Sequence, residues 1–182
     1  MVRKEPVPNS LRRKRFTRLS FVGIRKLPRS RWKDYRNLRL EALKSDPSAF
    51  GGSFEEEVTL MEGEWKRRIS NILFAMLNDT PVGMIGYVFG DRLKTKHVAE
   101  ILGVYVNSGH RAEGIGTKML EHALRMIRKN KRAVKVDLWV NPEQLAAVKL
   151  YKKFGFVVTG KSKKSIKVGR RFFDMLLMEK ML

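Results

Sequence analysis

The run Val104-Tyr105-Val106, followed by Arg111-Ala112-Glu113-Gly114-Ile115-Gly116-Thr117, constrains the fold more than any other stretch of the chain. An apolar strand turns through a basic, glycine-containing loop into a helical pattern from Thr117 to Lys129. The first turn of a helix carries N–H groups with no intrahelical partner, and the helix dipole adds partial positive charge there. Phosphate oxygens accept such bonds. Gly114 and Gly116 lack a Cβ and let a ligand come close to the backbone, while Arg111 is a permanent cation. The loop therefore suits a pyrophosphate. By itself it reads equally as an ordinary strand-to-helix turn, because glycine also ends strands and caps helices.

Length and composition narrow the choice. The 182 residues, 43% of them apolar, suffice for one compact domain plus a tail. Cysteine is absent, which excludes disulfides, thiolate metal sites and a cysteine nucleophile, and suits a reducing cytoplasm. His97, His110 and His122 lack metal-ligand spacing, so no metal is expected. No apolar run approaches the roughly 20 residues that span a bilayer, and the basic N-terminus is not followed by the apolar stretch of a signal peptide.

The net charge of +21 is concentrated at the two ends. Met1 to Ser20 holds seven basic residues and one acidic, Phe21 to Thr117 fifteen and twelve, and Lys118 to Leu182 seventeen and five. The first 20 residues, with Arg12-Arg13-Lys14-Arg15, read as a disordered basic arm suited to an anionic partner. The C-terminal excess falls on a helix face (Arg125, Arg128, Lys129) and on a hairpin (Lys161, Lys163, Lys164, Lys167), where it raises the potential around any anionic ligand.

Periodicity orders the remainder. A short strand at Phe21 to Lys26 precedes a helix from Arg31 to Lys44, ended by Asp46-Pro47, and a second, short helix from Met61 to Ser70. The strands Ile72 to Asn78 and Val82 to Gly90 form a hairpin about Asp79-Thr80-Pro81, and His97 to Val106 reads as a central strand. After the glycine loop and its helix come a strand at Val134 to Val140, a helix opened by Asn141-Pro142 that runs to about Phe154, and two last strands, Phe156 to Lys164 and Phe172 to Leu182. That order describes a mixed α/β sheet of about six to seven strands flanked by about four helices, in one domain over residues 21–182.

Five pieces then fall in a familiar order: Arg39-Leu40-Glu41-Ala42-Leu43 with Phe50-Gly51; Pro81-Val82-Gly83; Val106 with Arg111-x-x-Gly114-x-Gly116; Gln144 with Ala147, Leu150-Tyr151 and Gly155-Phe156; and Asp174 with Met178-Glu179-Lys180. Together with the element order they resemble the GNAT superfamily of acyl-CoA N-acyltransferases, across Phe21 to Leu182. The resemblance implies that the loop Arg111 to Thr117 holds the pyrophosphate of acetyl-CoA. It also implies that the pantetheine arm lies along Val104, Tyr105 and Val106 where the sheet splays, with Gln144 near its end. The Val104 N–H would face the thioester oxygen, where charge develops during acyl transfer. Two positions depart from the family pattern: Ala112 replaces a common Gly, which is tolerated if the backbone there stays helical, and Glu113 replaces a basic residue or Gln and should point away from the phosphates.

The same resemblance makes Tyr151 the general acid that protonates the departing sulfur, a role compatible with its reading as a core aromatic. Glu100 would be the base for the amine; it reads equally as a strand-end glutamate facing solvent or paired with a lysine. The run Glu55-Glu56-Glu57 falls where the family lines its acceptor site, and also reads as the acidic start of a helical turn. The function implied is transfer of an acetyl group from acetyl-CoA to a primary amine of a small molecule or protein. The alternative is a basic nucleic-acid- or ribosome-associated protein on the same scaffold, although its basic runs show little of the aromatic interleaving such binders use. Homodimers are common among relatives, but no interface is legible, and the acceptor depends on the variable segments Asp46 to Met61 and Lys161 to Arg171.

Overall fold

The computed structural model describes residues 22–182, so the expected basic arm lies outside the described residues. Seven strands form one sheet in the order β1-β2-β3-β4-β5-β7-β6. They are β1 (Gly23–Arg25), β2 (Ile72–Leu77), β3 (Thr80–Phe89), β4 (Val98–Val106), β5 (Lys135–Val140), β6 (Val157–Val168) and β7 (Arg171–Met181). Only β4 and β5 are parallel neighbours, because only they are joined by a crossover helix. Five helices cover the faces: α1 (Trp32–Ser45), α2 (Phe54–Glu57), α3 (Glu62–Arg68), α4 (Ile115–Arg128) and α5 (Leu145–Lys153).

Strand alternation feeds two cores. Leu73, Ala75, Ile85, Ala99, Ile101, Val136 and Leu138 face α4, whose Ile115, Met119, Leu120, Ala123 and Ile127 recur at helical spacing; Tyr151 of α5 and Phe156 join this cluster. On the opposite face, Ile72, Phe74, Met84 and Tyr105 pack against Tyr35, Leu38 and Leu43 of α1 and against Trp65 of α3. Tyr35 meets Trp65 and Phe74 edge-on, with ring centroids 5.4 and 5.9 Å apart.

Four expectations about local structure change. The hairpin turns on Asn78 and Asp79, both at positive φ (47° and 64°), while Thr80 and Pro81 belong to β3. Pro81 is tolerated in this inner strand because the β2–β3 register shifts beside it, at Ala75/Met76. The helix expected at Asn141-Pro142 begins only at Leu145, because Asn141 closes a turn first: its Oδ1 accepts from Glu143 N–H (2.9 Å) and its C=O from Gln144 N–H (3.0 Å). The helix expected from Thr117 starts at Ile115, one residue after Gly114 at φ 77°. Finally, Ser53-Phe54-Glu55-Glu56 forms a capping box that nucleates α2, with Glu56 N–H to Ser53 Oγ at 3.2 Å and Ser53 N–H to Glu56 Oε2 at 3.1 Å.

α2 is held to α1 by charge. Glu57 accepts two bonds from the Arg39 guanidinium, at 3.0 and 2.6 Å, with both side chains nearly out of solvent. Removing one partner of such a pair strands the other charge. Glu57→Gln is therefore expected to lower stability by roughly 3 kcal/mol in urea unfolding.

Candidate active site

Two strands that run parallel and then part create the site. β4 and β5 pair only from Val98↔Lys135 to Ile101↔Leu138. Beyond that point β4 continues to Val106 and β5 to Val140 with no strand between them. On the β3 side of β4, Gly103 and Val104 stand opposite the single residue Ile85, a bulge in which Gly103 takes φ 62°. Asn107 N–H donates to Val82 C=O (2.9 Å), and antiparallel alternation then commits Tyr105 to β3 and turns the backbone groups of Val104 and Val106 toward the splay. One of them is already used: Val106 C=O accepts from Arg111 Nε at 3.0 Å.

A cleft of about 660 Å³ occupies the splay. Val104, Tyr105 and Val106 form one wall; Arg111, Ala112, Gly114, Ile115, Gly116 and Thr117 form its end; Gln144 and Tyr151 close it from α5 and its N-cap. The residues expected along the cofactor thus meet in one place, with one exception. Glu113 is not on the cleft wall, and its carboxylate points to His110 Nδ1 at 3.6 Å.

The two loop glycines do different work. Gly114 sits at positive φ, whereas a Cβ on Gly116 would meet Leu150 Cδ2 at 3.3 Å, so Gly116 sets how closely α4 and α5 pack. Lys118 N–H bonds back to Gly114 C=O at 3.1 Å, leaving the amides of the first helical turn for an acceptor outside the helix. Ala112 adopts φ 62°, so the condition on which a methyl group would be harmless there does not hold: the backbone is left-handed.

Arg111 is anchored rather than free. Its guanidinium pairs with Asp46, which raises its already high pKa further, and lies 5.7 Å from the Tyr105 ring centroid. Tyr105 OH in turn donates to Glu41 Oε1 (2.7 Å), and Asn107 Nδ2 donates to the same oxygen (2.5 Å), tying the end of β4 to α1. Charge reaches the cleft from residues outside the expected set: Lys149 and Lys153 of α5 line it, as do Asp46 and Glu143. Helical spacing from Tyr151 gave no signal for the two lysines, because each lies two positions from it, although they share a face with one another at i, i+4.

Tyr151 is buried against Phe156, ring centroids 6.0 Å apart, and burial pushes its phenol well above the ordinary range. It stays protonated at neutral pH. Glu100 lies on the other face of the sheet, in a second cleft of about 410 Å³ that also contains Arg39, Arg68, Leu102, Trp139 and Met175. Its carboxyl is raised, first by desolvation and then by Asp137, its register partner on β5.

Glu55, Glu56 and Glu57 line neither cleft. Glu56 caps α2 and Glu57 is bound to Arg39, so these two carboxylates are engaged within the fold. The basic β6–β7 hairpin does carry an aromatic: Lys164 and Lys167 stand 5.9 and 5.6 Å from the ring centroid of half-exposed Phe172. Among the described residues no cluster of His, Cys, Asp or Glu is arranged to hold a metal, and no helix is long and apolar enough to cross a membrane.

The sequence matches the Acetyltransferase (GNAT) family over residues 32–156, which contain the splay, the loop and Tyr151. The chain belongs to this family. An uncharacterised N-acetyltransferase of Methanocaldococcus jannaschii is 31% identical over 93 residues, 50% of this chain and 41% of that protein. The L-amino acid N-acetyltransferase AaaT of Escherichia coli is 27% identical over 105 residues, 55% of this chain and 64% of that protein. The chain thus spans less than two thirds of either relative. The structure of yncA from Salmonella typhimurium, with its cofactor acetyl-CoA, shares the fold at a TM-score of 0.73 and 17% identity, over 88% of this chain and 93% of that one.

The left-handed Ala112 in this GNAT loop is directly testable. An L-residue with a side chain is strained there by about 1–2 kcal/mol, offset in part by the greater entropy of an unfolded glycine. Ala112→Gly is expected to raise stability by up to about 1 kcal/mol in urea unfolding, without weakening CoA binding in calorimetry.

Proposed function

We propose that this protein is an N-acetyltransferase that moves an acetyl group from acetyl-CoA to a primary amine of a small molecule or protein. The observation that carries the reading is the convergence, in one cleft, of unpaired strand backbone, open helix-start amides and a buried neutral tyrosine. The N-acetyltransferase names of both relatives support an amine acceptor, and the L-amino acid in one of them supports a small one.

The residues present fit the donor. The amides opening α4 would receive the pyrophosphate, helped by Lys149 and Lys153, while Arg111 holds the loop to α1 through Asp46. The backbone groups of Val104 and Val106 would bond the pantetheine amides as a strand neighbour would, and Gln144 lies across the cleft from them. When bound, acetyl-CoA supplies an acyl thioester activated toward amines. Val104 N–H would donate to the carbonyl oxygen as it gains charge. Tyr151 gives its phenolic proton to the sulfur that leaves, and burial keeps the phenol neutral until it does so.

Glu100 takes the proton from the attacking amine, directly or through water, because only a neutral amine is a nucleophile. It must be ionised to do so. Its raised pKa means that kcat/KM should rise with pH along a limb displaced above the usual carboxylate range. Removing the like charge in Asp137→Asn favours the ionised form of Glu100, so the limb should move to lower pH; a limb that stays in place in the measured pH profile excludes Glu100 as the base.

The reading as a whole is tested by incubating the protein with acetyl-CoA and a panel of amines and following release of free CoA. Tyr151→Phe should lower kcat roughly 100-fold or more while leaving CoA affinity unchanged. Absence of CoA binding by the wild-type protein in calorimetry would contradict the assignment.

A further inference from the structure

We infer that Phe50 sets the length of the acyl group this protein accepts. The inference rests on the acetyltransferase reading above and concerns the end of the donor that the pyrophosphate loop does not touch. The cleft in the splay and the cleft that holds Glu100 lie on different sides of β4, and the residues lining both are Ala49 and Phe50. Ala49 contributes a methyl group, so the Phe50 ring is the bulky side chain at the junction. An acyl group carried past Val104 and Tyr151 to meet an amine beside Glu100 arrives at that ring.

The ring is built not to retreat. Phe50 is 7% exposed and its face is covered by the Arg39 guanidinium, 4.7 Å from the ring centroid. Arg39 is immobilised in turn by its two hydrogen bonds to Glu57. The following chain is packed so closely on this pair that a Cβ on Gly52 would fall 2.4 Å from Glu57 Oε1. At the preceding end, Asn141, 1% exposed at the end of β5, donates from Nδ2 to Ser48 C=O at 3.4 Å. The segment from Pro47 to Gly52 therefore bridges the splay, fastened to α1 and α2 on one side and to the end of β5 on the other. Packed interiors do not yield cheaply to added methylenes, and a wall fixed at both ends yields least. An acetyl methyl fits against it, and each further carbon must displace the ring or fold back into the space of the amine.

The acidic run acquires a role through this arrangement. Glu57 positions Arg39, and Arg39 positions Phe50.

Direct binding tests the inference without knowledge of the acceptor. Calorimetry on the full chain compares CoA, acetyl-CoA, propionyl-CoA, butyryl-CoA and hexanoyl-CoA for the wild type, Phe50→Leu and Phe50→Ala. Wild-type affinity should fall about tenfold or more from acetyl to butyryl. In Phe50→Ala the same two ligands should bind within a few-fold of each other, with Phe50→Leu between the extremes. CoA itself has no acyl group to meet the ring, so its unchanged affinity shows that a variant is folded; if Phe50→Ala loses CoA binding, Phe50→Leu decides. A flat series in the wild type, or the wild-type slope in a folded Phe50 variant, overturns the inference. Failure of the wild type to bind any of the five ligands overturns the acetyltransferase reading instead.

Discussion

The early end of β4–β5 pairing is the constraint on which the rest of this molecule depends. A sheet normally satisfies its backbone groups strand by strand, and an unpaired stretch in its interior is unfavourable unless something else supplies partners. Here Val104 and Val106 keep polar groups turned into the gap, while β5 ends at Asn141 and gives its side chain to the segment at Ser48. The bulge at Gly103 re-aims β4, and the bonds from Tyr105 and Asn107 to Glu41 hold its end against α1. The two arms of the splay are thus tied to different parts of the fold.

Three acidic residues of this strongly basic chain order the surroundings of the clefts. Glu41 fixes the end of β4, Asp46 fixes Arg111, and Glu57 fixes Arg39 above Phe50. Each removes a degree of freedom from a segment the chemistry needs held still. Lys149 and Lys153 line the cleft in the splay, as the anionic donor proposed for it would require. On the opposite face burial, and after it the like charge of Asp137, raises the Glu100 carboxyl.

Much of the site was legible because it is local in sequence. The loop from Arg111 to Thr117 and the strand before it form one contiguous run that pattern alone brought forward, whereas Tyr151 was singled out by the resemblance of its motif to the GNAT family. The failures came where local pattern competes with a non-local or side-chain interaction. Asn141-Pro142 looks like a helix start, but Asn141 spends its carboxamide and carbonyl on a turn. Ala112 looks harmless in a helix-opening loop, yet its φ is left-handed. The acidic run invited an electrostatic role, although the Ser53–Glu56 capping box was present in the sequence and points to a helical turn.

The sequence by itself determined the order of strands and helices, the helix start that can accept a phosphate, and the tyrosine on the helix that follows. These follow from periodicity, glycine placement and motif spacing, which are properties of neighbouring residues. Only the tertiary structure decided that β4 and β5 part after Ile101 and Leu138, that Arg111 is bound to Asp46, and that Phe50 stands between two clefts. Those depend on which distant segments meet. Long-range pairing is set by the packing of whole faces rather than by any residue's neighbours in the chain.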